Sequence, residues 1–123
     1  IEGDNNTEIH GDAYWLSEAL TNIMKNCIEH TPIGGNIVIR YGYNPLHAFI
    51  GIADNGAGMD QADMARIFDR FYKGKNSSDE SVGIGLALSK SIIQKQYGSI
   101  EVASEKDRGT EFTIKFYHHP RSK

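Results

Sequence analysis

Four stretches of this chain carry residue types that can do chemistry. Asp54-Asn55-Gly56-Ala57-Gly58 closes the apolar run 47–53, whose Phe49, Ile50 and Ile52 are strand formers. Glycine tolerates φ > 0 and lets another group approach the backbone, so D-x-G-x-G describes a turn wrapped around something. The aspartate can accept a hydrogen bond from an exocyclic amine, as on a purine, although plain strand-ending turns share the pattern. Earlier in the chain, Asn22 and Asn26 stand four apart with Glu29 three further on, on one helix face beside an apolar stripe. Asn costs helix propensity at mid-helix. The pair reads either as a solvated edge or as a polar wall that holds a metal and phosphates. Gly83-Ile84-Gly85 opens a later helix after the Gly/Asn/Ser/Asp-rich stretch 74–81. A G-x-G at a helix start binds anions, because the free N–H groups and dipole of the first turn favour negative charge. Finally, Phe68-Asp69-Arg70-Phe71-Tyr72-Lys73 sets two cations among three aromatics. The rings suit a core; Arg70 and Lys73 can face a phosphate.

The elements that must position these residues follow from periodicity and punctuation. Asp12 is an N-cap for a helix reaching about His30, with Leu16, Leu20, Ile23 and Cys27 at helical spacing and Met24 and Ile28 widening the stripe. Thr31-Pro32-Ile33-Gly34-Gly35 stops it. Strands are expected at 36–41 and 47–53, paired as a hairpin through Asn44-Pro45. A short helix spans 60–67 with Met64, Ile67 and Phe68 inward, and 74–81 reads as a mobile loop. The helix from Gly85 reaches about Tyr97, with Leu86, Ile93 and Tyr97 on one side and Leu88 and Ile92 toward another; Gly98 ends it. Strands 100–104 and 110–117 make a second hairpin around Asp107-Arg108-Gly109, a short first strand is expected at 7–10, and the tail 118–123 should fray.

Composition sets the outer bounds. The 123 residues suffice for one domain with one core, and a net charge of −3 without a basic stripe argues against nucleic acid as partner. No run approaches the roughly 18–20 apolar residues of a membrane span, and no signal-peptide core is present. The chain begins with Ile, so a piece of a longer protein is expected. The single Cys27 excludes an internal disulfide and fits packing on the core-facing side of its helix. There is no repeat and no Cys/His metal-ligand spacing; His118-His119 lies in the polar tail.

In this order and spacing the motifs resemble the catalytic, ATP-binding domain of sensor histidine kinases, over nearly the whole chain. Asn22-Ile-Met-Lys-Asn26-Cys-Ile-Glu-His30 looks like the family's N box, Asp54-x-Gly56-x-Gly58 like its G1 box and Phe68-Asp-Arg-Phe71 like its F box. Gly83-Ile-Gly85-Leu-Ala-Leu looks like the G2 box, and Gly109-Thr110-x-Phe112 like the closing strand signature. The resemblance implies an α/β two-layer sandwich (the Bergerat fold), a mixed, mostly antiparallel sheet of about five strands with three helices on one face. It implies that Asn26 coordinates the magnesium bridging the triphosphate of ATP and that Asp54 accepts from the adenine amine. Gly56, Gly58, Gly83 and Gly85 would shape the pocket, with 74–81 as the ATP lid. Arg70 and Lys73 would contact phosphate, Thr110 would add a polar contact near adenine, and Tyr72, Ile84 and Leu86 would complete the nucleotide contacts. Asn22, Asn26, Arg70 and Lys73 would serve phosphoryl transfer.

Two departures stand out. Glu29 occupies a position where the family often has Lys, so Lys25 or a lid cation must supply that charge or affinity falls; Ala87 replaces a third G2-box glycine. Related ATP hydrolases, such as gyrases and heat-shock chaperones, carry a general-base Glu where this chain has Asn22. An amide cannot take that proton, which disfavours water as acceptor and favours a kinase. The acceptor histidine of the family sits in a separate helical dimerisation domain; neither His10 nor His30 has its surroundings. The resemblance therefore implies that domain and a response regulator as partners, a monomeric fragment, a cytoplasmic location and a membrane-anchored parent. Two rivals remain: a Ser/Thr kinase of the anti-sigma-factor kind, and a degenerate nucleotide-binding module that Glu29 keeps in play.

Overall fold

The computed structural model describes residues 2–3, 12–69 and 85–117. Its elements in order are β1 (Glu2–Gly3), α1 (Ala13–His30), β2 (Ile37–Tyr43), β3 (His47–Asp54), α2 (Gln61–Arg66), α3 (Gly85–Lys95), β4 (Gly98–Glu105) and β5 (Gly109–Tyr117). The strands form one sheet ordered β1-β2-β3-β5-β4. Four long strands pair antiparallel, and only β1 runs parallel to its neighbour, through Glu2↔Arg40 and Gly3↔Tyr41. This is the expected mixed sheet. The strand expected at 7–10 falls outside the described residues; the described edge strand comes earlier, where Gly3 leaves room for the Tyr41 ring.

Asp12 caps α1 as expected, its Oδ1 accepting from the N–H groups of Tyr14 and Trp15 at 3.0 and 3.2 Å. The same residue's N–H donates to Gln96 Oε1 at 2.9 Å, beyond the end of α3. Further along, Ser89 Oγ donates to Ala19 O at 2.9 Å, so the two helices run antiparallel against each other. On α1 the stripe of Ala19, Ile23 and Cys27 is fully buried, while Ile28 is exposed. On α3 the buried set is Leu86, Ser89, Ile92 and Ile93. Leu88 is exposed rather than buried: Leu86, Ser89 and Ile93 repeat at helical spacing, and Leu88 falls off that stripe. Tyr97 is also exposed, because α3 stops at Lys95 and Tyr97 itself takes the left-handed conformation at φ 65°. Gly98 therefore opens β4 instead of ending the helix; a Cβ there would lie 2.8 Å from Ile93 Cγ2 and 2.9 Å from the Lys115 carbonyl.

The core sits between the helices and one face of the sheet, and strand register explains its composition. Ile39, Ile52, Phe112 and Val102 make one row across β2, β3, β5 and β4; Tyr41, Ile50, Ile114 and Ile100 make the next. Phe112, Ile114, Ile52, Ile23 and Ile93 are almost wholly buried, and each such side chain contributes about 1.5–3 kcal/mol. Phe68, after α2, meets Phe112 edge-on at 6.4 Å between ring centres, with Lys90 Nζ 5.2 Å from its own ring. Ile67 is buried with it, as expected, whereas Met64 is only partly covered. The helix–helix contact is testable at one atom. Ser89→Ala removes the buried donor to Ala19 and should lower stability by about 1 kcal/mol, seen as a lower urea midpoint at unchanged slope.

Candidate functional site

The last helix-facing row of the sheet is different. Ile37 pairs with Asp54, Asp54 with Thr110, and Thr110 with Ser104. A core stripe thus ends in a carboxylate and two hydroxyls, and both Asp54 (7% exposed) and Thr110 (6%) are buried. Asp54 Oδ1 accepts the Gly56 N–H at 2.9 Å across the turn. Its Oδ2 is buried with no N–H or O–H partner among the described residues. A buried oxygen left so costs about 1–3 kcal/mol, and the missing partner is a donor. The expectation that Asp54 waits for an amine fits this orphan.

The D-x-G-x-G turn is held by the second hairpin. Gly58 has φ 71°, and a Cβ on it would run into the Glu105 carbonyl; Gly109, at φ 125°, lies as close to the Asp54 carbonyl. Both glycines make room for protein backbone, so Gly58 shapes the pocket indirectly. The Asp107 N–H donates to Ala57 O at 2.6 Å, and the Met59 N–H to Ser104 Oγ at 2.7 Å. Asn55 closes the other side, accepting the Asn36 N–H on its Oδ1 at 2.8 Å. A cleft of about 430 Å³ opens beside the turn, lined by Glu29, Thr31, Pro32, Asn55, Gly56, Ala57 and Asp107. Glu29 is thus placed beside the G1-like turn, where it adds negative charge.

The two remaining motifs meet through the helix pair. Asn22 and Asn26 are both half-buried on α1, and the Asn22 Cγ lies 3.7 Å from where a Gly85 Cβ would stand. The amide of the polar wall therefore abuts the first residue of α3, whose first-turn N–H groups are free of helical partners. The Leu86 side chain is packed into the core, so that residue offers the site its backbone. Arg70, Tyr72, Lys73, Gly83, Ile84 and the loop 74–81 lie outside the described residues. Among the described residues no three His, Cys, Asp or Glu side chains cluster as a metal site.

A profile described as "Histidine kinase-, DNA gyrase B-, and HSP90-like ATPase" matches residues 11–120. The chain belongs to that family. It is 39% identical over 114 residues to the heme sensor protein HssS of Staphylococcus saprophyticus, covering 93% of this chain and 25% of that protein. The chain thus spans about a quarter of that relative's length. Among solved structures, the mycobacterial sensor histidine kinase MprB superimposes with a TM-score of 0.80 at 28% identity, covering 89% of this chain and 76% of that one. The catalytic domain of the histidine kinase ThkA gives 0.81 at 23% identity, over 94% and 76% of the two chains, which supports the shared fold. As in this family's sandwich, the described helices pack on one sheet face; among the described residues no helix is long and apolar enough to cross a membrane.

Two residues of the site escaped the sequence reading. Ser104 looks like any strand serine until the register of the Asp107-Arg108-Gly109 hairpin sets it opposite Thr110. Cys27, read correctly as buried, also stands next to Asp54. Burial pushes its thiol from the ordinary 9.0 up to about 12, and the Asp54 carboxylate adds to the shift by its charge and as acceptor for the weakly donating S–H. A raised thiol pKa favours the neutral form in the fold. Its contribution to stability is complete below the unfolded value near 9 and is lost as pH climbs toward 12. Cys27→Ala should therefore flatten the alkaline fall in stability above pH about 9 relative to the unaltered chain, measured by urea unfolding at stepped pH. An equal slope in both proteins would show that the thiol ionises alike in the folded and unfolded chain.

Proposed function

We propose that this chain binds ATP with magnesium and supplies the γ-phosphoryl group to a histidine on a separate helical domain of a longer sensor kinase. The observation that carries the reading is the buried Asp54 Oδ2, at the end of a core row, with no N–H or O–H donor among the described residues. An adenine amine supplies that donor. Gly56, Gly58 and Thr110 shape the surroundings of the base, and Gly83, Ile84, Gly85 and Leu86 offer backbone to the phosphates at the start of α3. Asn26 would hold magnesium through its amide oxygen, a hard ligand of the kind this ion accepts alongside phosphates. The ion's chemistry is to neutralise charge on the transferred group. Arg70 and Lys73 would serve the same end, with Tyr72 as a further nucleotide contact, as the family resemblance implies.

Asn22 decides between acceptors. Standing against Gly85, at the phosphate end of the site, it orients but cannot deprotonate a water, so ATP is kept for the histidine of the partner domain. Phosphoryl transfer asks mainly for positioning and charge neutralisation, which these groups provide. The matching sensor proteins support a cytoplasmic domain on an anchored parent, with a response regulator downstream.

Calorimetric titration with a non-hydrolysable ATP analogue and magnesium tests the pocket. Asp54→Asn keeps the shape and the acceptor for Gly56 but turns an N–H₂ toward the amine, and affinity should fall by roughly tenfold to a hundredfold; unchanged affinity would place the nucleotide elsewhere. With γ-labelled ATP the isolated chain should stay unlabelled, while an added helical histidine domain should take up acid-labile label. Acid-stable label on a partner would favour the Ser/Thr kinase reading instead.

A further inference from the structure

We infer that Ser104 is a positioning residue that fixes the direction of the Thr110 hydroxyl and so makes the pocket prefer a 6-amino to a 6-oxo purine. The inference rests on the nucleotide reading above and adds a residue to it. It follows from counting protons around one oxygen. A serine hydroxyl has one proton and two lone pairs. Ser104 Oγ lies 2.7 Å from the Met59 nitrogen, 2.9 Å from the Gly109 carbonyl oxygen and 2.9 Å from Thr110 Oγ1. The Met59 N–H can only donate, and the Gly109 carbonyl can only accept. Ser104 therefore spends its proton on Gly109 and has only a lone pair for Thr110. Thr110 must be the donor in that contact.

The consequence is felt on the neighbouring strand. With its proton committed to Ser104, Thr110 Oγ1 presents lone pairs alone. Its cross-strand partner is Asp54, whose Oδ1 is occupied by Gly56 and whose buried Oδ2 is likewise an acceptor, with no N–H or O–H donor among the described residues. Two acceptors side by side on one sheet face suit an amino group, which carries two N–H donors. A 6-oxo purine in the same pose would set its carbonyl oxygen against both, and its N1–H could answer Asp54 only if the base shifted from that pose. Opposed or unpaired buried groups discriminate more strongly than the gain of a single bond. The backbone reinforces the arrangement, since the same serine oxygen holds the Met59 N–H and with it the end of the D-x-G-x-G turn.

The test is competition of ATP and ITP, each with magnesium, against a fluorescent ATP analogue on the whole chain. The unaltered protein should favour ATP. In Ser104→Ala the Thr110 proton is released to turn toward a ligand oxygen, and the ATP/ITP preference should shrink by roughly fivefold to tenfold. A purely structural role would weaken both nucleotides equally and leave the ratio unmoved, which would overturn the inference. In a Thr110→Val background, Ser104→Ala should no longer change the ratio; a persisting change would overturn it as well. Thr110→Val alone removes one of the two acceptors and should itself lower the preference, so a ratio unmoved there counts against the inference even if Ser104→Ala fails to fold. If the unaltered chain binds neither nucleotide, the nucleotide reading falls and the inference with it, an outcome distinct from an unmoved ratio on a binding protein.

Discussion

A carboxylate with one oxygen satisfied and the other stranded is the interaction on which this structure turns. Asp54 occupies the place of the next core residue in a row that otherwise runs through Ala48, Ile50 and Ile52. An apolar side chain there would extend the core at no cost. Instead the fold buries a polar group, answers half of it from Gly56, and leaves the other oxygen with no N–H or O–H donor among the described residues, beside only the weakly donating Cys27 thiol. Such a defect persists when a ligand meets it. The packing of α1 and α3 against Phe112 and Ile114 is what keeps Asp54 from relaxing toward water.

The turn after Asp54 is correspondingly overdetermined. Gly58 and Gly109 bring two loops into backbone contact, and two hydrogen bonds, from Asp107 to Ala57 and from Met59 to Ser104, tie them together, with Ser104 in turn donating to Gly109 within the second loop. A binding edge built from loops would normally be soft. Here the first loop is clamped by the second, and the second is a tight hairpin that opens into β5, the best-buried strand. The proposed base-binding end is held firm because its loops share a backbone contact surface.

Most of this was readable from residue order. Alternation gave the four long strands, Asp12 and the 3.6-residue stripe gave α1, and the glycine-bearing motifs located the site. What stayed hidden depends on register and space. Gly58 signals a turn in sequence, yet only the coordinates reveal that its missing Cβ accommodates Glu105 rather than a ligand. Ser104 and Thr110 lie six apart, a separation that says nothing until the Asp107-Arg108-Gly109 turn folds them opposite each other. Leu88 was misplaced because an apolar side chain at a helix start looks like core, while the stripe of Leu86, Ser89 and Ile93 actually decides the face. The nearness of Cys27 to Asp54 required knowing how α1 crosses the sheet, which no local pattern encodes.

The charge distribution then divides the labour within the proposed site. The described cleft beside the turn carries Glu29 and Asp107 and no cation, with Asp54 just behind it. That end suits a neutral base with donors and repels phosphate. Where α1 meets the start of α3, Asn22 stands against Gly85, and backbone N–H groups there supply partial positive charge without a side chain. Under the proposed function, such a gradient would orient a nucleotide with its base toward the carboxylates and its phosphates toward the helix. Glu29 sharpens that polarity at the proposed base end even as it withholds a counter-charge, so the proposed function would leave neutralisation of the triphosphate to magnesium, the α3 terminus and the cations that follow Phe68 in sequence.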